Sequence, residues 1–146
     1  MAMTDSPGDY LPHRPPFLFL TTIFEAVAGD HARGEWVVEG SEDFFLGHFP
    51  SDPVVPGVLI TEAMAQIAGV ALFCEQRDVK AMVAHIDVRF RQPVRPPASI
   101  LLSARCERSI GRVHLVEVSA EVESAVVAHG HITLGTGESA QPEDLK

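Results

Sequence analysis

The sequence has little of several features that would place it in other classes of protein. It contains 2 cysteines, Cys74 and Cys106, outside any metal-binding spacing, and only 7% aromatic residues. Its 11 basic residues are outnumbered by 20 acidic ones, and the net charge of −9 argues against nucleic acid as the main partner. The first nine residues contain no apolar run. We therefore expect no secretory signal, and a cytoplasmic location with reduced cysteines.

No hydrophobic stretch is free enough of polar residues to predict a membrane span. The nearest candidate, residues 54–73, carries a carboxylate near its middle. Such a group costs about 2.5–3.5 kcal/mol in the centre of a bilayer. A helix that is apolar around its whole circumference is instead enclosed by other elements of a protein. We predict a buried helix from Gly57 or Val58 to about Glu75.

Length and composition are those of one globular domain. The chain has 146 residues, of which 46% are hydrophobic and 21% charged. This is enough to bury a core and is unlike a disordered chain. We predict a single domain over residues 1–146, with a core at about 10–136 and loose tails at 1–9 and 137–146.

Two-residue periodicity predicts an antiparallel sheet around the helix. Strands are expected near Thr22–Ala28 and Ala32–Glu39, and apolar residues alternate with polar ones through the C-terminal half. One long apolar helix and such a sheet pack most economically when the sheet curls around the helix, which predicts an α+β fold. The alternating apolar residues are Ile100, Leu102, Ala104 and Cys106, then Val116, Val118, Ala120 and Val122, then Val126, Ala128, Ile132 and Leu134.

Two titratable residues, His48 and Glu62, lie in apolar surroundings. His48 ends an aromatic segment, and Glu62 interrupts the apolar helix near its start. Buried proton-handling groups are costly unless they have a task, so the pair predicts an acid/base site. Gln66 lies four residues after Glu62 on the same helix face, within reach of its carboxylate.

Four motifs together resemble one enzyme family. They are Leu11-Pro12-His13-Arg14 with Pro16-Phe17-Leu18, Gly47-His48-Phe49-Pro50, the stretch from Val55 to Gln66, and Val88-Arg89-Phe90-Arg91. In this order they resemble the β-hydroxyacyl-acyl-carrier-protein dehydratases of the FabZ type, from about Leu11 to Leu134. The resemblance implies the hotdog fold. It also implies a lyase without metal or redox cofactor, which dehydrates a (3R)-3-hydroxyacyl thioester on acyl-carrier protein to the trans-2-enoyl thioester in fatty-acid-type synthesis.

The resemblance also implies roles for the pair. The histidine of the His-Phe-Pro motif and the helix carboxylate form the family's catalytic pair, which corresponds to His48 as base and Glu62 as proton donor. The related decanoyl dehydratase-isomerases usually carry aspartate at the second position, so glutamate favours the plain dehydratase branch. Family members bring the two groups together from two subunits. This implies a homodimer, with three dimers in a hexamer as a further possibility.

Residues beside the pair are assigned to substrate binding. Gly57 permits close approach of a thioester carbonyl to its backbone N–H, and a helix N-terminus stabilises negative charge. The other residues assigned to substrate binding are Phe49, Val58 and Gln66. Plainer interpretations remain open, because Pro56-Gly57 is a common helix-entry turn and an early-helix glutamate often only complements the helix dipole.

A basic segment is the candidate carrier-binding surface. Five of the eleven basic residues fall within 19 positions: Arg77, Lys80, Arg89, Arg91 and Arg95. We assign Arg89, Arg91 and Arg95 to an acidic carrier protein or to the phosphate of its phosphopantetheine arm. A solvated strand edge is the alternative.

The remaining histidines are assigned no chemistry. His129 and His131 alternate on a strand's polar face, and no third ligand accompanies them at credible spacing, so no metal site is expected. The other four, His13, His31, His85 and His114, are interpreted as structural or surface residues. Two other functions remain open: a different hotdog enzyme, such as a thioesterase or an enoyl-CoA hydratase, or a non-catalytic carrier-binding subunit of a heterodimer.

Overall fold

A computed structural model describes residues 6–76 and 79–137. Two short 3-10 turns, Pro7–Asp9 and Asp43–Leu46, flank the first hairpin. Both strands predicted for that hairpin are confirmed. The regular elements in chain order are β1 (Thr22–Val27), β2 (His31–Val38), α1 (Gly57–Phe73), β3 (Ala81–Phe90), β4 (Ala98–Ile110), β5 (Val113–Val122) and β6 (Ala125–Thr136).

Helix α1 is the buried centre of the fold. It begins after Pro56, whose carbonyl accepts the backbone N–H groups of Leu59 at 3.0 Å and Ile60 at 3.1 Å. The prediction of a buried helix is confirmed, although the helix ends at Phe73 rather than near Glu75. No helix in the described ranges is long and apolar enough to cross a membrane. The buried residues of α1 are Ile60, Ala63, Met64, Ala65, Gln66, Ile67, Ala68, Val70, Ala71 and Leu72.

All six strands form one antiparallel sheet in the order β1-β2-β4-β5-β6-β3. One face of this sheet packs on α1, with β4, β2 and β5 making the main contacts. The α+β hotdog fold, a sheet wrapped around one helix, is confirmed. The inward residues of β4 and β5 are almost completely buried, as the alternation predicts: Ile100, Leu102, Ala104, Val116, Val118 and Ala120.

The predicted alternation is wrong at the start of β6. Val126 is 41% exposed, whereas its neighbour Val127 is 2% exposed. The pairing of β5 with β6 shifts register between Ala120 and Glu121. A bulge of this kind adds a residue to one strand and moves the following side chains to the other face.

Part of the predicted N-terminal tail is structured. Pro7 is buried at the start of the 3-10 turn, and its carbonyl accepts the backbone N–H groups of Tyr10 at 3.0 Å and Leu11 at 3.1 Å. Residues 1–5 and 138–146, which make up the rest of the predicted tails, lie outside the described residues.

Strand β3 forms one edge of the sheet and exposes apolar side chains. It pairs with β6 on one side and with no other strand of the described residues on the other. Met82, Val83, Ile86 and Phe90 are between 43% and 59% exposed. An open edge with apolar side chains is a surface on which a further strand can pair.

We predict that Gly130→Ala strongly destabilises the sheet. Gly130 lies in β6 between Val118 of β5 and Val88 of β3, with φ at 157°. An added Cβ would overlap the carbonyl oxygen of Asp87 and lie 2.8 Å from Val88 Cα. Overpacking of this kind costs about 1–3 kcal/mol or more of unfolding free energy, measured by urea denaturation.

Gly47→Ala is the matched control for this prediction. A Cβ at Gly47 meets no heavy atom within 4 Å, so the unfolding free energy should change by less than about 0.5 kcal/mol. Equal urea midpoints for wild type and Gly130→Ala would contradict the packing argument.

Candidate active site

Glu62 lies at the polar end of an apolar groove. Its carboxyl group is on the second turn of α1, and its side chain is 22% exposed. The groove has a volume of about 330 Å³, within the range of small-molecule sites. The residues that line it are Tyr10, Leu11, Pro12, His13, Phe17, Glu62, Ala65, Gly69, Phe73, Val79, Ala81, Met82, Val83 and Leu134.

The groove follows one face of α1. Glu62, Ala65, Gly69 and Phe73 are spaced along that face, and the helix rises about 16 Å from the first to the last. The small side chains in the middle leave room beside the helix. The ring of Phe73 packs edge-on against His114, with 5.4 Å between centroids. The result is a long apolar channel with a carboxyl group near one end.

Gln66 fixes the orientation of the Glu62 carboxyl group. Its amide nitrogen donates to Glu62 Oε2 at 2.9 Å and to the Phe17 carbonyl at 2.9 Å, while its oxygen accepts the Phe19 N–H at 3.0 Å. If the amide were flipped, its oxygen would face the Phe17 carbonyl oxygen and Glu62 Oε2, and its nitrogen would face the Phe19 N–H. Acceptors would then oppose acceptors and donors would oppose donors, so the orientation is determined. Oε2 of Glu62 therefore accepts a hydrogen bond from the amide, and Oε1 is the oxygen left available to a substrate.

One ring nitrogen of His48, Nδ1, is hydrogen-bonded, and the other, Nε2, has no hydrogen-bond partner in the described residues. Its Nδ1 lies 2.8 Å from the carbonyl oxygen of Val54. A carbonyl oxygen can only accept, so Nδ1 carries the proton, and Nε2 of the neutral ring keeps its lone pair. The ring also packs on Phe49, whose φ of 52° turns the chain sharply after the histidine. Nε2 can therefore act as a base.

No contact between His48 and Glu62 is present in the described residues of one chain. His48 does not line the groove of Glu62, and no hydrogen bond or ion pair joins them there. The imidazole is hydrogen-bonded to Val54, and the carboxyl group is hydrogen-bonded to Gln66. The expected pair is therefore not assembled by contacts among the described residues.

The start of α1 is open to a ligand on one side. The N–H groups of Gly57 and Val58 precede the first intrahelical donor and have no partner in the described residues. The ring of Phe90 covers Gly57, since a Cβ there would lie 3.1 Å from it. Val58 and Phe49, also assigned to substrate, are 77% and 63% exposed.

Part of the basic segment is already paired. Arg95 donates to both carboxylate oxygens of Asp52, at 3.0 and 3.2 Å, and this hydrogen bonding lowers the pKa of Asp52. Arg91 donates to His129 at 3.0 Å, and Arg89 is exposed. Arg77 lies outside the described residues. The free positive charge is therefore smaller than the sequence count suggests.

One of the two β6 histidines, His131, lies close to two carboxyl groups from other strands. Ligand atoms of Glu107, Glu117 and His131 lie within 4.8 Å of one another. Neighbouring strands bring together residues that are far apart in sequence, which spacing along the chain does not reveal. Glu107 and Glu117 are exposed and His131 is half-buried, and the groups are already paired, His131 with Glu107 at 3.2 Å and Arg105 with Glu117 at 3.1 Å.

His13, interpreted from the sequence as a structural or surface residue, lies beside Glu62. Its side chain lines the groove, and Nε2 is 3.5 Å from Oε2 of Glu62. The signal in the sequence that singles out this histidine is the motif Leu11-Pro12-His13-Arg14.

Related sequences decide the family. The FabA-like domain matches residues 11–131. The chain belongs to the FabA-like family. It is 38% identical to the 3-hydroxyacyl-[acyl-carrier-protein] dehydratase FabZ of Bacillus velezensis over 141 residues, 94% of this chain and 100% of that protein. It is 44% identical to the FabZ of Roseiflexus castenholzii over 128 residues, 84% and 87% of the two chains. The resemblance inferred from the four motifs is confirmed.

Solved structures share the architecture of this FabA-like chain. The dehydratase heterocomplex ApeI:P from Xenorhabdus doucetiae aligns with a TM-score of 0.77 and 15% identity over 98% of each chain. The uncharacterised protein PH1136 from Pyrococcus horikoshii aligns with a TM-score of 0.73 and 17% identity, covering 94% and 96%. At such identities the likeness concerns the fold alone.

We predict that Gln66→Leu destabilises this FabA-like domain. The Phe19 N–H would remain buried without an acceptor, which costs about 1–3 kcal/mol of unfolding free energy. Urea denaturation measures the loss. Gln76→Leu, an exposed position beyond the end of α1, is the control and should leave the midpoint unchanged. An unchanged midpoint for Gln66→Leu would contradict the role of the amide.

Proposed function

We propose that this chain is a 3-hydroxyacyl-acyl-carrier-protein dehydratase, which converts a (3R)-3-hydroxyacyl thioester to the trans-2-enoyl thioester in fatty-acid-type synthesis. The observation that carries the proposal is Glu62, oriented by Gln66 at the end of an apolar groove. The FabZ relatives, at 38–44% identity over most of the chain, support the same reaction.

The reaction needs one proton removed and one delivered. His48 Nε2 takes the proton from C2, and the electron pair of that bond forms the C2–C3 double bond through an enolate-like state. Glu62 Oε1 gives its proton to the C3 hydroxyl as the C3–O bond breaks, and water leaves. The free Nε2 lone pair of His48 and the available Oε1 of Glu62 support this division of labour.

The N-terminus of α1 would stabilise the developing oxyanion. The N–H groups of Gly57 and Val58 are unpaired, and the helix dipole favours negative charge there. We assign the thioester carbonyl to this position, with Phe49 and Phe90 as apolar neighbours. The groove beside Ala65 and Gly69 then takes the acyl chain, because its walls are mainly apolar.

An acidic acyl-carrier protein would present the substrate on its phosphopantetheine arm. We assign the contact to Arg89 and Arg91, the two basic residues at the end of β3 that make no carboxylate contact in the described residues. Arg95 is a weaker candidate because Asp52 already engages its guanidinium. We also propose a cytoplasmic location, which the free thiols of Cys74 and Cys106 support.

The active enzyme would be at least a homodimer, with three dimers in a hexamer as an option. No contact joins His48 and Glu62 in the described residues of one chain, and its β3 edge exposes Met82, Ile86 and Phe90. A second copy that pairs along this edge would cover the apolar side chains. It would also be in position to bring its own His48 to the Glu62 of the first.

We predict that His48→Ala and Glu62→Gln each lower kcat by about 10²–10⁴-fold with the fold intact. The assay follows formation of the enoyl thioester by mass spectrometry, and circular dichroism checks folding. Loss of water conserves the thioester, whereas a thioesterase would release free thiol. Glu75→Gln, an exposed carboxyl group just beyond α1, is the control and should keep wild-type turnover. Wild-type turnover in either test variant would remove that residue from the mechanism.

Mixing the two inactive variants should restore activity if the site is shared. Random exchange makes half of the dimers mixed, each with one intact pair, so recovery should approach about a quarter of wild-type activity. The same mixture with Ile86→Lys in both chains should stay inactive, because charge on the β3 edge blocks pairing. Ile110→Lys, at an exposed hairpin end, is the matched control and should permit recovery. No recovery despite exchange of differently tagged chains would contradict the shared site.

A further inference from the structure

His13 contacts the catalytic carboxyl group from outside helix α1. Its Nε2 is 3.5 Å from Oε2 of Glu62, and the two side chains are 29% and 22% exposed. On the other side of the ring, Nδ1 is buried and has no hydrogen-bond partner in the described residues. The polar contact of this imidazole is therefore with the group that would deliver the proton.

The unpaired Nδ1 decides where the proton of neutral His13 sits. A proton on Nδ1 would be a buried donor without an acceptor, which costs about 1–3 kcal/mol. A proton on Nε2 instead lies on the nitrogen that is 3.5 Å from Oε2 of Glu62. The separation exceeds the usual range of about 2.7–3.2 Å for an N–H···O bond, and such contacts often shorten when substrate binds.

Both partners are held by fixed backbone. Arg14 Nη1 donates to the carbonyls of Leu11 and His13, each at 2.7 Å, and so fixes the chain around the histidine. Gln66 ties the following residues, Phe17 and Phe19, to α1. The distance between the imidazole and the carboxyl group is thus set by hydrogen bonds on both sides.

We propose that His13 is a positioning residue that, together with Gln66, reserves Oε1 of Glu62 for the proton. Both donor nitrogens lie near Oε2, that of Gln66 at 2.9 Å and that of His13 at 3.5 Å, so in this proposal the carboxyl proton stays on the opposite oxygen. His13 holds Oε1 of Glu62 towards the leaving hydroxyl and does not itself touch the substrate's reacting atoms. This inference rests on the proposed dehydration and concerns how the carboxyl group is oriented.

The test compares two amides of different reach. His13→Gln can extend a donor to Oε2 and should keep kcat within about fivefold of wild type. His13→Asn and His13→Ala cannot reach, and kcat should fall by about 10- to 100-fold with KM little changed. Asparagine keeps a polar side chain at this position, so one slow variant remains if the alanine variant folds poorly. Equal kcat values for the glutamine and asparagine variants would overturn the proposal.

His31→Ala is the matched control. His31 lies on the outer face of the sheet and contacts two carboxylates, Glu25 at 2.9 Å and Asp30 at 2.6 Å, away from the groove. These hydrogen bonds raise the pKa of His31. Its replacement removes an imidazole–carboxylate contact of the same kind and should leave kcat unchanged. A loss as large as that of His13→Ala would overturn the specific role of His13.

A double-mutant cycle separates this role from the function itself. In the Glu62→Gln background, His13→Ala should cause less than about a twofold further loss of kcat, since His13 acts through the carboxyl group. A purely structural residue would cause the same loss in both backgrounds, and that result overturns the proposal while the dehydratase function stands. Wild-type turnover of Glu62→Gln would instead refute the proposed mechanism together with this inference.

Discussion

The hydrogen bonds of one buried amide hold the site together. Gln66 is 1% exposed, and within residues 6–76 and 79–137 it is the only polar or charged side chain that is buried. Its three bonds join α1, the N-terminal segment at Phe17 and Phe19, and the carboxyl group of Glu62. Because an unpaired buried polar group is costly, these three parts are stable only in one mutual arrangement. The orientation of the Glu62 carboxyl group, the proposed proton donor, therefore follows from how the domain packs.

The apolar groove strengthens the electrostatic interactions of the Glu62 carboxyl group. Glu62 and His13 lie at one end of a channel whose other walls are mainly apolar, and electrostatic interactions are stronger where water is scarce. The same burial would make an unsupported carboxyl group costly. Gln66 therefore serves stability and chemistry through the same contacts. The imidazole proposed as the partner of Glu62, that of His48, lies on a separate turn after the Asp43–Leu46 segment.

Local patterns predicted much of the fold and part of the site. The all-apolar stretch predicted α1, and the alternation through β4 and β5 predicted their inward faces. Both patterns can be read from the sequence because they depend on residues that are close together along the chain. The bulge that exposes Val126 depends on pairing with another strand, and no local pattern encodes it. The approach of Glu107 and Glu117 to His131, and of His13 to Glu62, joins distant segments. Such contacts follow from the three-dimensional arrangement, which spacing along the chain does not report.

In the proposed homodimer, the lifetime of a newly synthesised chain depends on its concentration, because the β3 edge is covered only when two chains meet. Until then, β3 offers its edge, with Met82, Val83, Ile86 and Phe90 exposed, to any extended polypeptide nearby. Dilute chains of such a dimer spend longer in this unprotected form, and aggregation or proteolysis competes with correct association. A homodimer built on this edge therefore requires synthesis fast enough for chains to meet, and scarce chains are the first to be lost to quality control.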